Sequence, residues 1–230
     1  MMVSSRTEKK ILSGNEMKTI VLNASPRKTG NTAKLLKSAA KGAEDAGAQV
    51  TYIDLYDLNF TGCRSCMLCK RKGVQRCHCY WPDDLSPVID QIFASDVLLI
   101  GTCIYLGRPA SRYFELMERL HFCALSYDDY HCYFTGKVNV GMFVAMNATK
   151  PFYDRMYKDA FEGYAAELKM LNGTVELHPC YNTLQVADYS KFDMASFDET
   201  AKRYAHEHEF PKDLENAYQV GKHLSTPATH

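Results

Sequence analysis

The chain has 230 residues, 46% of them hydrophobic, and its 27 Lys and Arg balance its 27 Asp and Glu, so the formal net charge is zero. That length holds one α/β domain with an ample core and is short for two. Neither nucleic acid nor an anionic membrane is an expected partner of a neutral chain, and no apolar run nears the roughly 20 residues of a membrane span.

Residues 1–16, "MMVSSRTEKKILSGNE", lack the apolar stretch of a signal peptide and read as a polar N-terminal extension, with Met17 an alternative start. The expected compartment is the cytoplasm, where clustered cysteines point to metal or redox chemistry rather than disulfides. Residues 17–230 then read as one domain with a cysteine-rich insertion at 61–82.

"KTIVLNAS" (18–25) is a β-branched apolar run ending in turn chemistry, which predicts a buried strand. The spacing over 31–47 predicts a helix with Leu35, Leu36, Ala39, Ala40 and Ala43 on one side and Gly47 as its stop. "QVTYIDL" (49–55) is a second strand and 83–96 a helix. "VLLIGTCIY" (97–105) is a third strand, followed by a helix over 108–122. The fourth strand lies within 136–147, a long amphipathic helix spans 151–173 with Asn172-Gly173 closing it, and "TVELHPCY" (174–181) is the fifth strand. After an irregular stretch, 211–224 forms the last helix, with Pro211 at its start. Strands alternating with helices imply a parallel sheet covered on both faces.

Ligands of such sheets bind at the carboxyl ends of the strands. The first loop, "NASPRKTGNT", leads straight into a helix whose N-terminus offers unpaired N–H groups. Ser25, Thr29 and Thr32 add hydroxyls, and Arg27 a guanidinium fork. This suits a phosphate, although Gly30 stands alone and matches neither a P-loop nor a dinucleotide fingerprint. The plainer reading is an ordinary turn capped by Asn31 or Thr32. The loop after the third strand, "GTCIYLG", offers Tyr105 and Leu106 to a flat ring and the backbone of Thr102, Cys103 and Ile104 to its polar edge, or else is a routine turn with a core tyrosine.

Together these loops resemble those of the flavodoxin-like NAD(P)H-dependent FMN reductase family, including its iron–sulfur flavoprotein branch. The resemblance runs over roughly 18–224. It implies a doubly wound, five-stranded parallel sheet of order 2-1-3-4-5 with helices on both faces, binding FMN and using NAD(P)H as co-substrate. Ser25, Arg27, Thr29, Gly30, Asn31 and Thr32 would hold the phosphate. Thr102, Cys103, Ile104, Tyr105, Leu106 and Gly107 would hold the flavin, although Thr102-Cys103 stand where the family usually has Ser-Pro. Asn147, in "AMNATK", would serve from a third loop. No side-chain acid, base or nucleophile is required, because the flavin carries the chemistry.

Cys63, Cys66 and Cys69 have C-x2-C-x2-C spacing, with Cys77 and Cys79 close behind. Such spacing suits three corners of a [4Fe–4S] cluster, and the resemblance places a cluster motif at this point. Cys77 is the expected fourth ligand and Cys79 its alternative. Zinc on four of the thiols, or no metal, are the other readings. From Leu58 to Pro82 there is no Asp or Glu, while Arg64, Lys70, Arg71, Lys72 and Arg76 are cationic, which favours a negatively charged cluster, a nucleotide phosphate or a solvated face. The same segment holds Met67, Leu68, Val74, Tyr80 and Trp81. Their exposure on a monomer would invite aggregation, so a homodimer or larger assembly is expected. Cys103, Cys123, Cys132 and Cys180 read as small buried hydrophobes. His206 and His208, at i and i+2, do not share a helix face. The expected function is FMN-dependent transfer of electrons from NAD(P)H or ferredoxin to a small-molecule or redox-protein acceptor. A flavodoxin-type carrier, a cluster-free quinone or azo reductase, and a fold-mate binding another phosphate are the rivals.

Overall fold

The computed structural model describes residues 16–227, so the expected N-terminal extension lies outside the described residues except for Glu16. Five strands run parallel: β1 (Lys18–Asn23), β2 (Gln49–Asp54), β3 (Val97–Tyr105), β5 (Val138–Ala145) and β6 (Asn172–Cys180), in the order β2-β1-β3-β5-β6. Counted along the chain this is the expected 2-1-3-4-5. A two-residue strand, β4 (Arg108–Pro109), folds back antiparallel on the end of β3.

The period-2 alternation of a strand decides which side chains face which layer. Ile20, Leu22, Leu98 and Ile100 pack into one core with α2 (Leu85–Phe93), α3 (Ser111–Ala124) and α5 (Lys158–Glu167). Their alternates Val21, Val97 and Leu99 pack on the other side with α1 (Asn31–Asp45) and α7 (Phe210–Leu224). Burial on both faces explains why the central strands read as unbroken apolar runs. Where α1 meets α7 the backbones nearly touch. A Cβ on Gly42 would stand 2.0 Å from the Tyr218 carbonyl oxygen, and one on Gly221 1.8 Å from that of Ala39.

Two elements differ from expectation. The long helix over 151–173 is broken at Tyr157 into α4 (Lys150–Met156) and α5, continues as a 3-10 turn to Leu171, and gives way to β6 at Asn172. Asn172 does act as a stop, in the left-handed region at φ 60°. The irregular stretch before α7 contains a helix, α6 (Glu199–His208), capped by Asp198, whose side chain accepts from the Ala201 N–H at 2.9 Å. Among the described residues no helix is long and apolar enough to cross a membrane.

Candidate functional site

A cavity of about 760 Å³ opens at the carboxyl ends of β1, β3, β5 and β6. Its first wall is the loop from β1 to α1. Asn23 anchors that loop: its Nδ2 donates to Asp54 at 2.7 Å, and its Oδ1 accepts the Ser25 N–H at 3.0 Å. The Gly30 N–H returns to the Arg27 carbonyl at 3.0 Å, closing the turn. The N-cap of α1 is Gly30, no side chain caps the helix, and its first turn holds no acid. The plainer reading of Asn31 or Thr32 as cap therefore fails. Asn31 Nδ2 reaches across to the Leu184 carbonyl at 2.8 Å, and Arg27 Nη1 to that of Gln185 at 2.6 Å. The α1 N-terminus is left with open N–H groups and a positive dipole end facing the cavity.

Ser25, Arg27, Thr29, Gly30, Asn31 and Thr32 all line this space, as do Cys103, Ile104, Tyr105 and Asn147. Burial pushes the Cys103 thiol up, opposed by a hydrogen bond with the Ser25 side chain. The remaining three expected residues do not line it. Thr102 is fully buried, and its hydroxyl accepts the Ala110 N–H at 3.0 Å, so it pins the loop from beneath. Leu106 and Gly107, at φ 48° and 81°, form the tip of the β3–β4 hairpin. Leu106 stands entirely in solvent, and Gly107 abuts the Tyr157 ring. Asn147 Oδ1 is buried and has no hydrogen-bond partner among the described residues.

The opposite wall was not anticipated. Thr183 to Ala187, after β6, and His206 of α6 complete the cavity. Among the described residues its charged lining is Arg27 and Lys34, with no Asp or Glu. An electropositive, acid-free cavity beside an open helix N-terminus selects an anion.

The cysteine segment wraps a second, smaller cavity. Ser65, Met67 and Cys77 lie in the left-handed region at φ 52°, 61° and 55° and bend the chain sharply. Cys63, Cys66, Cys69 and Cys79 line a space of about 20 Å³ together with Cys123 and Arg119. Cys77, the first choice as fourth ligand, is not among them. Its left-handed backbone turns it away, and burial pushes its thiol up to about 11, with Cys132 as the neighbouring charge. Cys79, the alternative, does line that space. Its Sγ accepts from Arg119 Nε at 3.3 Å and Nη2 at 3.2 Å. Arg119 is 1% exposed and also donates to Asp83 Oδ2 at 2.5 Å, the Thr61 carbonyl at 3.2 Å and Ser86 Oγ at 2.8 Å. Among the described residues no three His, Cys, Asp or Glu side chains stand close enough to hold a single metal ion. Of the segment's apolar residues, only Met67 is well exposed, at 42%, while Leu68, Val74, Tyr80 and Trp81 are half-buried in the monomer. The large exposed apolar surface argued from them is therefore mostly absent. Of the scattered cysteines, Cys123 and Cys180 are buried as expected, and Cys103 and Cys132 are half-buried.

The family described as NADPH-dependent FMN reductase matches residues 17–170. An iron-sulfur flavoprotein of Methanocaldococcus jannaschii is 29% identical over 103 residues, 45% of this chain and 51% of its own length. One from Methanosarcina thermophila is 22% identical over 103 residues, 45% of this chain and 52% of its own. The chain thus spans about half the length of the curated relatives it matches. Among solved structures, an NAD(P)H:quinone oxidoreductase from Methanothermobacter marburgensis superposes with TM-score 0.68 at 15% identity, covering 91% of this chain and 99% of that one. An azoreductase from Bacillus anthracis superposes with TM-score 0.62 at 12% identity, covering 90% and 99%. These two show the shared flavodoxin-like fold.

Proposed function

Because the chain belongs to the NADPH-dependent FMN reductase family, we propose that it is an FMN-dependent oxidoreductase that takes electrons from NAD(P)H or a ferredoxin-type donor. The observation that carries this reading is the acid-free cavity closed by the uncapped α1 N-terminus. Its residues suit a flavin mononucleotide. The amides of the α1 first turn, the hydroxyls of Ser25, Thr29 and Thr32, and Arg27 would hold the phosphate. Cys103, Ile104 and Tyr105 would lie along the ring, with Asn147 beside it from the loop after β5. Bound FMN supplies a ring that takes up a hydride or single electrons. The protein's part would be placement: the β3 and β5 loops would hold the ring edge, and the β6 loop, tied to the α1 N-terminus through Arg27 and Asn31, would close the phosphate end. Tyr105 and Leu106, 55% and 102% exposed, leave the outer rim open to an incoming electron donor or acceptor.

The cysteine cavity is a fit in donor chemistry for a [4Fe–4S] cluster: four thiols of the segment with Cys123 of α3 behind them, two guanidinium N–H groups on one sulfur, and no carboxylate in the lining. Cys63, Cys66, Cys69 and Cys79 would hold it. Each thiolate of a cluster binds a different iron, so its ligands ring a body rather than meet at a point. The enclosed space is narrower than such a core, and loading it would push the exposed Cys66–Met67 turn outward. The iron-sulfur flavoproteins among the relatives favour this assignment, whereas the quinone and azo reductases among the structural neighbours favour the second reading, a reductase without a cluster. Residues 17–230 act as one FMN-binding unit in either case, since the β6 loop and α6 complete the cavity wall. The protein works in the cytoplasm, as a homodimer or larger assembly.

The test is anaerobic purification with flavin, iron and sulfide quantified together, followed by NAD(P)H oxidation under an added acceptor. FMN near one per chain supports the oxidoreductase reading. No flavin after reconstitution overturns it, and FMN without iron selects the cluster-free reading.

A further inference from the structure

Arg119 stands on α3 behind the cysteine segment, fully buried, and aims its donors in two directions. One edge of the guanidinium, Nε and Nη2, converges on Cys79 Sγ at 3.3 and 3.2 Å. On the other edge Nη1 donates to Asp83 Oδ2 at 2.5 Å and to the Thr61 carbonyl at 3.2 Å. Nη2 also reaches Ser86 Oγ at 2.8 Å and the Trp81 carbonyl at 3.4 Å. Among the described residues Cys79 is the one thiol of Cys63, Cys66, Cys69 and Cys79 whose sulfur accepts side-chain donors. A neutral thiol is a weak acceptor, so two charged N–H groups aimed at one are poorly matched. A thiolate bound to iron is a strong acceptor, and the fork then suits it. Asp83, whose side chain is 11% exposed, offsets the cation. The pair therefore brings the sulfur directed N–H groups with little net charge.

We infer that Arg119 is a positioning residue that raises the reduction potential of a cluster held by Cys63, Cys66, Cys69 and Cys79, acting through the Cys79 sulfur. The inference rests on the cluster reading above. When such a cluster takes up one electron, part of the added negative charge falls on its thiolate sulfurs. N–H donors at a sulfur then bind it more strongly, so they favour the reduced form. The fork sits on a helix rather than on the cysteine loop itself, and its second edge is fixed by Asp83 and the Thr61 carbonyl. It is thus held in place independently of the sulfur it serves.

Anaerobic potentiometric titration of the reconstituted full-length protein with dithionite tests the inference, the reduced cluster being followed by its paramagnetic resonance signal and iron being counted in parallel. The proteins are wild type, Asp83→Asn, Arg119→Lys and Arg119→Met/Asp83→Asn. The double variant removes the fork without leaving an unpaired buried carboxylate, and Asn keeps an acceptor for the Leu85 N–H. It should disfavour the reduced cluster about tenfold, a fall in midpoint of about 59 mV for a one-electron couple. Arg119→Lys, which keeps the cation but not the fork, should fall by less. Asp83→Asn, which keeps the fork and drops the opposing charge, should rise. Equal midpoints in wild type and the double variant overturn the inference and leave the cluster reading standing. If the double variant holds no iron, the single variants decide: a rise in Asp83→Asn with a fall in Arg119→Lys supports the inference, and any other pattern, loss of iron included, overturns it in favour of a purely structural arginine. A wild-type protein that reconstitutes without iron overturns both readings.

Discussion

Replacing Arg119 with Met should destabilise the protein far more than an average substitution. Met matches the stem of the side chain, so packing is nearly kept and the guanidinium is what disappears. Asp83, its ion-pair partner, has a side chain only 11% exposed and would be left as a buried carboxylate. Asp83 Oδ1 still accepts the Leu85 N–H at 3.1 Å, but nothing would replace the cation. Removing one partner of a buried pair costs about 3–5 kcal/mol. With domain stability of roughly 5–15 kcal/mol, that is a large share of the total, and it corresponds to a fall in Tm of roughly 6–20 °C in a chain of this size. Urea denaturation of wild type, Arg119→Met and Arg119→Met/Asp83→Leu provides the measurement. Removing both charges should recover at least about 1 kcal/mol, because a buried pair exchanged for apolar residues is close to neutral. Full recovery is not expected, since the Thr61 carbonyl and Ser86 hydroxyl lose their donor in both variants. A single variant less than about 1 kcal/mol below wild type would refute the reasoning. So would a double variant as unstable as the single one, since the unpaired charge would then not be the cause.

Cys79→Ser should lose bound iron in anaerobically reconstituted protein, whereas Cys77→Ser should keep it; the reverse order would restore Cys77 as fourth ligand. Arg27→Ala should weaken FMN binding by about 1.5–3 kcal/mol, read by titration of the flavin-free protein, and an unchanged Kd would mean that the backbone amides alone hold the phosphate. Gly221→Ala should cost roughly 1–3 kcal/mol or more, because its Cβ would stand 1.8 Å from the Ala39 carbonyl oxygen and force α7 off α1; denaturant midpoints decide it. Burial lowers the pKa of His121 from the usual 6.5, so the native state takes up its proton later than the unfolded chain does. The stability tied to that neutral ring is present above pH 6.5 and is lost as the pH falls through the depressed value. The Tm of His121→Leu should therefore gain on that of wild type between about pH 7.5 and pH 5, and a constant difference would contradict this.

The sheet was legible because β1, β3 and β5 are buried on both faces, and runs of six to nine residues are too short for any use but a buried strand. The first loop was legible because turn residues, hydroxyls and a helix start coincide at Ser25 to Thr32. Helix α6 escaped for a physical reason: its inward side is formed by Lys202, Ala205 and His206, so no apolar stripe marks it. Its one visible signal was Asp198, an N-cap ahead of "ETA". The break at Tyr157 was hidden because the amphipathic pattern continues across it, while the tyrosine ring packs against Gly107 of a distant hairpin. Spacing alone favoured Cys77 over Cys79. That Cys79 rather than Cys77 lines the small cavity depends on a left-handed backbone at Cys77 and a buried arginine on α3, neither of which the local cysteine pattern contains. Thr102 sat in a ligand-like motif, but its hydroxyl was needed to pin its own loop.

The strand pairing bears on how much of this chain is one inheritable piece. Residue 170, where the family match stops, falls between the end of α5 and the start of β6. A fragment ending there would leave β5 with one bare side, an open template for any other chain's strand and a standing risk of aggregation. It would also strip α7 from Gly42, uncovering a groove shaped for a backbone that is no longer there. The region beyond the match carries β6, α6 and α7. It is not a detachable module, and any recombination that removed it would have to supply both a new sheet edge and a new cover for α1.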